Sequence, residues 1–295
     1  MTTVVFVLLP GVHLLDLGGP AQVFFAATDF GQHYRLRYVA EQPQVTTAQG
    51  LPVTAETAWP ELSAQDLVVV PGWRALTLRG GPGLSQELAD RLRAHHAAGG
   101  TVASVCAGAE ALGAAGLLDG RRCTTHHDLQ EELALRHPRA VVVRDVLWTT
   151  DNRVVTSAGI ASGIDLALHL LAVRHGPALA AQVARQMVVY ARRNGDEPQA
   201  SAMLRYRSHL DDTVHRAQDL IDSRFAEALP LSRLAADRSR LHGPPLTGPP
   251  TDPASTDPAD RPPLTGPRRP AGTGTGRGKI GGGEAAAQVI LAGCS

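Results

Sequence analysis

The chain has 295 residues, of which 43% are hydrophobic and 19% are charged, a composition typical of a globular protein. Its 28 lysines and arginines balance 28 aspartates and glutamates, so no overall basic excess indicates nucleic-acid binding. Three cysteines are too few for a disulfide framework or a zinc site, and no apolar stretch is long enough to cross a bilayer. We therefore expect a cytoplasmic protein with no metal, no cofactor and no membrane partner.

The first 120 residues alternate between two hydrophobic patterns. Short apolar runs predict strands at 3–9, 34–41, 66–72 and 101–105. Helical spacing predicts helices at 17–28, 84–100 and 107–118. The β-α-β-α order predicts an α/β fold in which a parallel sheet is sandwiched by helices.

The next segment adds two strands and two helices. The strands are predicted within 140–159, around an Asp-Asn turn. The helices follow at 161–175 and 177–193. Ser162 and Asp165 have the spacing of a capping box, which indicates where the first of these helices begins.

One cysteine lies where a predicted strand becomes a predicted helix. The stretch TVASVCAGAEALGAAGLLDG (101–120) begins as a strand and ends as a helix, with Cys106 at the join. Such a corner holds its residue in a strained conformation that exposes the side chain. The helix N-terminus favours a thiolate, so we expect the pKa of Cys106 to lie below the free value of about 8.5. The small residues Ala107 and Gly108 let the backbone approach a bound ligand.

The local sequence leaves a second interpretation open, in which Cys106 is simply a small buried hydrophobic side chain. Its neighbours favour a functional site. Asp16, an acid among apolar residues, follows the first strand, where it has a specific task or caps a helix. The stretch CTTHHDL places His126 and His127 on another strand-to-helix connection. Because the carboxyl ends of parallel strands meet at one edge of a sheet, we expect Asp16 and one of these histidines to face Cys106.

The strand VVVPGW ends at the same edge with Gly72 and Trp73. The N–H groups of Gly72 and Ala107 are expected to form an oxyanion hole. Trp73 either walls a small pocket or packs in the core, and the sequence leaves both open. Structural or surface positions are expected for the remaining candidates, which are Cys123 (core), His95 and His96 (helix end), His127 and His13 (surface).

With these features the sequence resembles the ThiJ/PfpI superfamily, which implies a class I glutamine-amidotransferase-like, flavodoxin-like fold. Residues 1–195 are similar to the N-terminal, ligand-sensing domain of GlxA-type, AraC-family transcriptional regulators. The resemblance lies in LPGVHLLDLGGPAQVF, VVVPGW, SVCAGAEALGAAGLLDGRRCTTHH and RVVTSAGIASGIDLALHLL, which occur in the same order. The isonitrile-hydratase branch of the superfamily shares much of this pattern.

The resemblance implies a role for each matched residue. It makes Cys106 the nucleophile, Asp16 the acid that hydrogen-bonds it, and His126 the histidine near it. It also makes Gly72 and Ala107 the backbone donors. The protease-like branch has a histidine directly after its cysteine, and isonitrile hydratases have a hydroxyl residue there. Since Ala107 matches neither, we do not expect a peptidase, and the match to the hydratases is weaker.

The rest of the chain divides into a linker, a helical segment and a tail. Residues 196–208 read as a linker, and 209–240 resemble the start of an AraC-type helix-turn-helix domain. A recognition helix is expected near Ser239, but the sequence continues RLHGPPLTGPPTDP, and prolines at this density prevent a helix. The proline- and glycine-rich residues 241–295 predict a disordered tail. We interpret this end of the chain as frame-shifted or rearranged.

Two functions fit these observations. The resemblance implies a homodimeric regulator, and not an enzyme, whose ThiJ/PfpI-like domain binds an unidentified small molecule at Cys106. DNA is the expected partner only with an intact helix-turn-helix domain, so DNA binding is expected to be impaired. The alternative is a cysteine-dependent small-molecule enzyme, either a hydratase or lyase similar to isonitrile hydratase or a glyoxalase.

Overall fold

A six-stranded sheet forms the centre of the computed structural model, which describes residues 1–190, 192–201 and 204–232. Its strands are β1 Thr2–Val7, β2 Tyr34–Val39, β5 Leu67–Val70, β6 Thr101–Val105, β9 Trp148–Asp151 and β10 Val154–Ser157. Their order across the sheet is β2-β1-β5-β6-β10-β9, and all neighbours are parallel except β10 and β9. The predicted parallel sheet is therefore confirmed, with one antiparallel strand added at an edge.

The central strands are apolar because both of their faces are covered. The side chains of β5 are all buried, as are the last four of β1. A strand that faced water on one side would alternate apolar and polar residues. Two further strand pairs lie outside the sheet, β3 Gln44–Thr46 with β4 Pro52–Thr54 and β7 Arg122–Cys123 with β8 Val141–Val142.

Helices pack on the sheet in two groups. The α-helices are α1 Leu14–Ala26, α2 Gln86–Ala97, α3 Gly108–Ala114, α4 Gln130–Arg136, α5 Ser162–His175, α6 Pro177–Gln186 and α7 Asp212–Ser223. Short 3₁₀ helices span Ala27–Phe30 and His127–Leu129. Helices α1, α5 and α6 contact one another, while α2 contacts α3. Among the described residues, no helix is both long enough and apolar enough to span a membrane.

Two predicted helices end earlier than their hydrophobic spacing suggests. Helix α3 stops at Ala114 and α6 at Gln186. Gly116 and Val188, two residues further on in each case, have φ angles of +71° and +56°, which a right-handed helix does not allow.

The predicted capping box at the start of α5 is wrong. Ala161 is the N-cap residue, and it makes no side-chain capping bond. The Ser162 hydroxyl instead bonds the backbone of Gly159, and the Asp165 carboxylate accepts hydrogen bonds from Arg193. Both side chains are used to hold loops, so neither is free to cap the helix.

The predicted hairpin is present, with its turn shifted by one residue. Asn152 and Arg153 have φ angles of +45° and +61°, which match the two positive angles of a type I′ turn between β9 and β10. The right-handed twist of paired strands favours this turn.

Beyond the sheet, the chain continues into the predicted linker and helical segment. Asp211 caps α7 by accepting hydrogen bonds from the backbone N–H groups of Thr213 and Val214. None of the side chains of α7 is buried. A compact unit ends at Leu229. The expected recognition helix near Ser239 and the predicted disordered tail, 241–295, lie outside the described residues.

Candidate functional site

Cys106 occupies the corner between β6 and α3, as the sequence predicted. Its φ angle is +54°, a left-handed conformation that residues other than glycine rarely adopt. Three hydrogen bonds hold it there. The Cys106 N–H donates to the Ser157 carbonyl (3.0 Å), and its own carbonyl accepts from the Ala109 N–H (3.2 Å) and the Thr125 hydroxyl (2.7 Å). The neighbouring strand and loop therefore fix the strained corner.

The space around the cysteine exists because its neighbours are glycines. A Cβ atom added to Gly159 would lie 2.2 Å from Cys106 Cβ, and one added to Gly72 would lie 2.7 Å from it. Gly159 also has a φ angle of +100°, which a side chain makes unfavourable. The close approach expected at Gly108 is to the protein itself, because a Cβ there would lie 2.1 Å from the Val70 carbonyl oxygen.

Asp16 lies beside the cysteine, as the resemblance implied. It is in the first turn of α1 and is fully buried. Its Oδ1 accepts a hydrogen bond from the Ile160 N–H at 2.7 Å. Its Oδ2 lies near the Cys106 thiol and the Gly72 N–H, but it has no hydrogen-bond partner. Burial raises the pKa of Asp16, against the opposing effects of the Ile160 N–H, His13 and the thiol.

The predicted thiolate is wrong. Cys106 is only 6% exposed, and burial together with the charge of Asp16 raises the pKa of its thiol to about 12. The Ala107 N–H lowers this pKa, as the helix N-terminus was expected to do, but its effect is smaller. Cys106 is therefore a neutral thiol at physiological pH.

His126 contacts residues of its own loop: Nδ1 accepts a long hydrogen bond (3.4 Å) from the Asp128 N–H, and its ring centroid lies 4.1 Å from that of His127. The role of His126 beside the cysteine stays a prediction. Burial, followed by the influence of His127, lowers the pKa of His126. The residue of this loop that reaches the cysteine is Thr125, one position earlier, which the sequence analysis missed.

The two backbone donors of the predicted oxyanion hole lie at the site. The Gly72 N–H lowers the pKa of Asp16, and the Ala107 N–H lowers the pKa of the Cys106 thiol. Trp73 is 3% exposed and forms a backbone bridge with Val12, while its buried Nε1 has no hydrogen-bond partner. Its role in ligand binding remains a prediction, as do those of Gly72 and Ala107.

The residues expected to be structural have that character. Cys123 is fully buried in β7. His95 and His96 are buried at the end of α2, and their Nε2 atoms contact the carbonyls of Asp66 (3.2 Å) and Asn152 (2.8 Å). His13, which was expected at the surface, is half-buried, and its Nδ1 lies 3.2 Å from Gln49 Nε2.

The loop after β10 contributes residues that sequence reasoning did not assign to the site. Ile160 holds Asp16 through its N–H, and its φ angle of +51° is left-handed like that of Cys106. Ser162 fixes this loop by bonding both the N–H and the carbonyl of Gly159. The sequence signal that could have indicated this loop is the run of small residues in TSAGIASG, at the same edge of the sheet.

A parallel sheet with a cysteine at a strained strand-to-helix corner and a buried carboxyl group beside it defines a class of α/β proteins with the flavodoxin-like fold. Within this class, the model of the DJ-1/PfpI family matches residues 2–173, so the chain belongs to that family.

The named relatives include an enzyme and a transcriptional regulator. An isonitrile hydratase from Pseudomonas putida is 36% identical over 169 residues, which cover 56% of this chain and 68% of the hydratase. The HTH-type transcriptional regulator CdhR from Pseudomonas aeruginosa is 33% identical over 187 residues, 62% of this chain and 54% of the regulator. The matched region thus spans about half the length of that regulator.

A solved structure is similar to the same part of the chain. The crystal structure of an AraC family transcriptional regulator from Pseudomonas putida superposes with a TM-score of 0.54 at 25% identity. The match covers 63% of this chain and all of that structure. Both a regulator and an enzyme are thus represented among the relatives.

Proposed function

We propose that this chain is an AraC-type transcriptional regulator whose DJ-1/PfpI domain binds a small molecule at Cys106. The similarity to CdhR and to the AraC family structure supports this assignment. So does the amphipathic helix α7, which follows the domain where a helix-turn-helix segment is expected to begin. Gly72, Trp73, Ala107 and Gly108 are the proposed ligand contacts.

One observation carries the proposal, namely a hydrogen-bonded bridge from the cysteine to the segment that leads to α7. The Thr125 hydroxyl donates to the Cys106 carbonyl at 2.7 Å. The Gln199 Nε2 donates to the Thr125 carbonyl at 2.9 Å and to the Val146 carbonyl at 3.1 Å. A ligand that shifts the cysteine corner therefore acts on the chain immediately before α7. A regulator requires such a connection, and an enzyme does not.

The bridge continues through charged side chains. The Gln199 N–H donates to Asp145 at 3.0 Å, and Arg205 lies 3.7 Å from the same carboxylate. Arg207 then binds Asp219 at 2.7 Å and Asp222 at 2.6 Å, both of which belong to α7. The contacts of Arg205 with Asp145 and of Arg207 with Asp219 are exposed and individually weak. We therefore expect the half-buried Thr125–Gln199 contact to matter most.

The altered end of the chain is part of the proposal. Because proline-rich sequence replaces the expected recognition helix, we propose that this chain binds DNA weakly and without sequence preference. The proposed frameshift is tested by sequencing the locus and translating the DNA beyond codon 240 in the other two reading frames. An AraC-type helix pair is expected there, and its absence would contradict the rearrangement.

A chimera tests the regulator itself. Residues 1–208 are joined to the DNA-binding half of CdhR, and bound Pseudomonas aeruginosa genomic fragments are selected at a fixed salt concentration, since salt sets non-specific affinity. We expect the chimera to enrich the same fragments as intact CdhR, while the natural chain enriches none. If the chimera folds as a dimer by light scattering but enriches nothing, the sensing domain does not support a regulator.

The alternative function, that of an enzyme, is favoured by the Cys106–Asp16 pair. A buried carboxylate beside a thiol accepts its proton when the sulfur attacks an electrophilic carbon. With an isonitrile, the sulfur would bond to the terminal carbon and the proton would move to that carbon, giving a thioimidate. Water would then replace the sulfur and yield an N-substituted formamide, with the thiol regenerated.

Turnover distinguishes the two functions. The intact chain is incubated with cyclohexyl isocyanide, and the formamide is measured by chromatography. We expect no product above that of the matched pair Cys106→Ser and Cys123→Ser. Product formed by the intact chain and by Cys123→Ser, but lost in Cys106→Ser, would establish the enzyme instead.

A further inference from the structure

Three metal-ligating side chains converge on the loop that carries Thr125. His127 Nδ1 lies 2.9 Å from one Asp128 carboxylate oxygen, and His126 Nδ1 lies 3.5 Å from the other. One ligand atom from each residue falls within 4.8 Å of the other two. Ligands held about 2.0–2.2 Å from a tetrahedral zinc ion are about 3.3–3.6 Å apart, so only a small adjustment is needed to close on one ion.

The local backbone explains why three consecutive residues face one point. His126 is the N-cap residue of the 3₁₀ helix, with φ −54° and ψ 140°, while His127 and Asp128 are in its first turn. The change from extended to helical backbone turns His126 back towards the helix, so that its ring lies against that of His127 at an interplanar angle of 33°. In a regular strand or helix, side chains at adjacent positions diverge.

A carboxylate already held by an arginine would not turn readily towards a metal ion. Within the described part of the chain, the carboxylate of Asp128 forms ion pairs with His126 and His127 and with no arginine.

We propose that His126, His127 and Asp128 bind one zinc-class divalent ion. Two imidazoles and one carboxylate are the donor set of zinc, nickel and copper sites, whereas magnesium and calcium prefer oxygen ligands alone. The His127 and Asp128 side chains are 58% and 70% exposed, so the ion keeps positions open to water or to a further ligand. The proposal gives His126 a role different from the one that the resemblance implies, and it departs from the expectation that the chain holds no metal.

Titration of the full chain with zinc sulfate tests the site. Isothermal calorimetry in a buffer that does not bind zinc is expected to show one equivalent bound per chain. His127→Ala and Asp128→Asn change exposed side chains, so both variants should fold, which circular dichroism verifies. Each should weaken zinc binding at least about tenfold, since even outer residues around a metal are worth that much.

Two control variants locate the ion. His33→Ala removes an exposed histidine elsewhere on the surface, and Cys106→Ser removes a buried thiol; both should leave the affinity for zinc unchanged. The proposal is overturned if the natural chain binds no zinc at millimolar concentration, or if His127→Ala and Asp128→Asn bind as tightly as the natural chain. A loss of binding in Cys106→Ser would also overturn it, because the ion would then lie at the cysteine.

Discussion

Cys106 and Asp16 determine each other's charge. Burial raises the pKa of both side chains, and the negative charge of Asp16 raises the pKa of the thiol further. Two negative charges in one buried site oppose each other, so the pair does not carry both charges near neutral pH. A protonated thiol suits reversible ligand binding better than spontaneous oxidation.

Replacement of Asp16 by Asn tests this pairing. The amide oxygen retains the hydrogen bond from Ile160, but the charge beside the sulfur is lost, so the pKa of Cys106 should fall. Alkylation by iodoacetamide at pH 8 should then be faster, by about tenfold for each unit that the pKa falls. Mass spectrometry follows the Cys106 peptide, and Cys123, whose thiol pKa burial raises to about 11, is the internal reference. Equal or slower alkylation of Cys106 in the variant would contradict the pairing.

The same variant should change how stability depends on pH. The pKa of Asp16 lies above its ordinary value of 3.8 in the folded chain, so the folded state binds the proton more tightly than the unfolded state does. Stability therefore falls as the pH rises from 3.8 through the raised pKa. Asp16→Asn should melt at a higher temperature at pH 7.5, by about 2–4 °C per kcal/mol gained, and the difference should shrink towards pH 4. A natural chain that melts higher at pH 7.5 would refute this.

At the level of secondary structure, the corner between β6 and α3 depends also on the loop between β10 and α5, because this loop packs directly on Cys106. The Gly159 backbone occupies the space that a side chain would need, and Ile160 reaches from the same loop to Asp16 in α1. The cysteine corner is therefore stable only when this loop is in place. Strain at Cys106 and Ile160 is held by packing and not by local preference.

A glycine pair tests the loop. Gly159→Ala places a methyl group 2.2 Å from Cys106 Cβ at a φ angle of +100°, and it should destabilise the chain by about 1–3 kcal/mol. Gly18→Ala, on the exposed face of α1 with nothing within 4 Å of the added atom, should stabilise it by about 0.5–1 kcal/mol. Urea unfolding measures both free energies. Similar free energies of unfolding for the two variants would mean that the loop shifts at little cost and does not hold the cysteine corner.

The sequence predicted much of the fold because its buried strands have a distinct hydrophobic pattern. Runs such as 66–72 are apolar on both faces, which only a covered parallel strand explains, and the structure places β5 at Leu67–Val70. The position of Cys106 could be predicted from the local change from a strand pattern to a helix pattern. The protonation state of Cys106 could not be predicted, because the pKa of the thiol depends on burial and on Asp16, which no local pattern reveals. The contact of Ile160 with Asp16 joins residues 144 positions apart, so spacing could not predict it.

At the scale of the whole molecule, the site and the C-terminal helix belong to one connected structure. The predicted linker 196–208 begins with residues that are bonded to the domain, since Gln199 contacts both the Thr125 loop and Val146. Under the proposed function, a signal from the site would need no large movement of the domain, because release or tightening of these hydrogen bonds would change how the chain leaves the sheet.

Loss of the Gln199 bridge should be visible in hydrogen exchange. Gln199→Ala removes two hydrogen bonds, so amides in 193–201 should exchange about tenfold faster, as expected for about 0.5–1.5 kcal/mol per bond. Mass spectrometry of peptides from the full chain measures the rates. Gln42→Ala, at an exposed glutamine far along the chain, is the matched control. If both variants exchange alike in this segment, Gln199 does not couple the site to α7.

The carbonyl of Gly195 has a consequence for any shortened version of this protein. It accepts the N–H groups of Leu147 (2.9 Å) and Trp148 (3.2 Å), where the antiparallel strand forms the open border of the sheet. A Cβ at this position would press on the Trp148 ring at 2.8 Å, so glycine allows the close fit. Cleavage before this residue would leave a sheet border with free donors, a template for self-association. Crystallisation of the domain by itself thus calls for a chain that extends past Gln199.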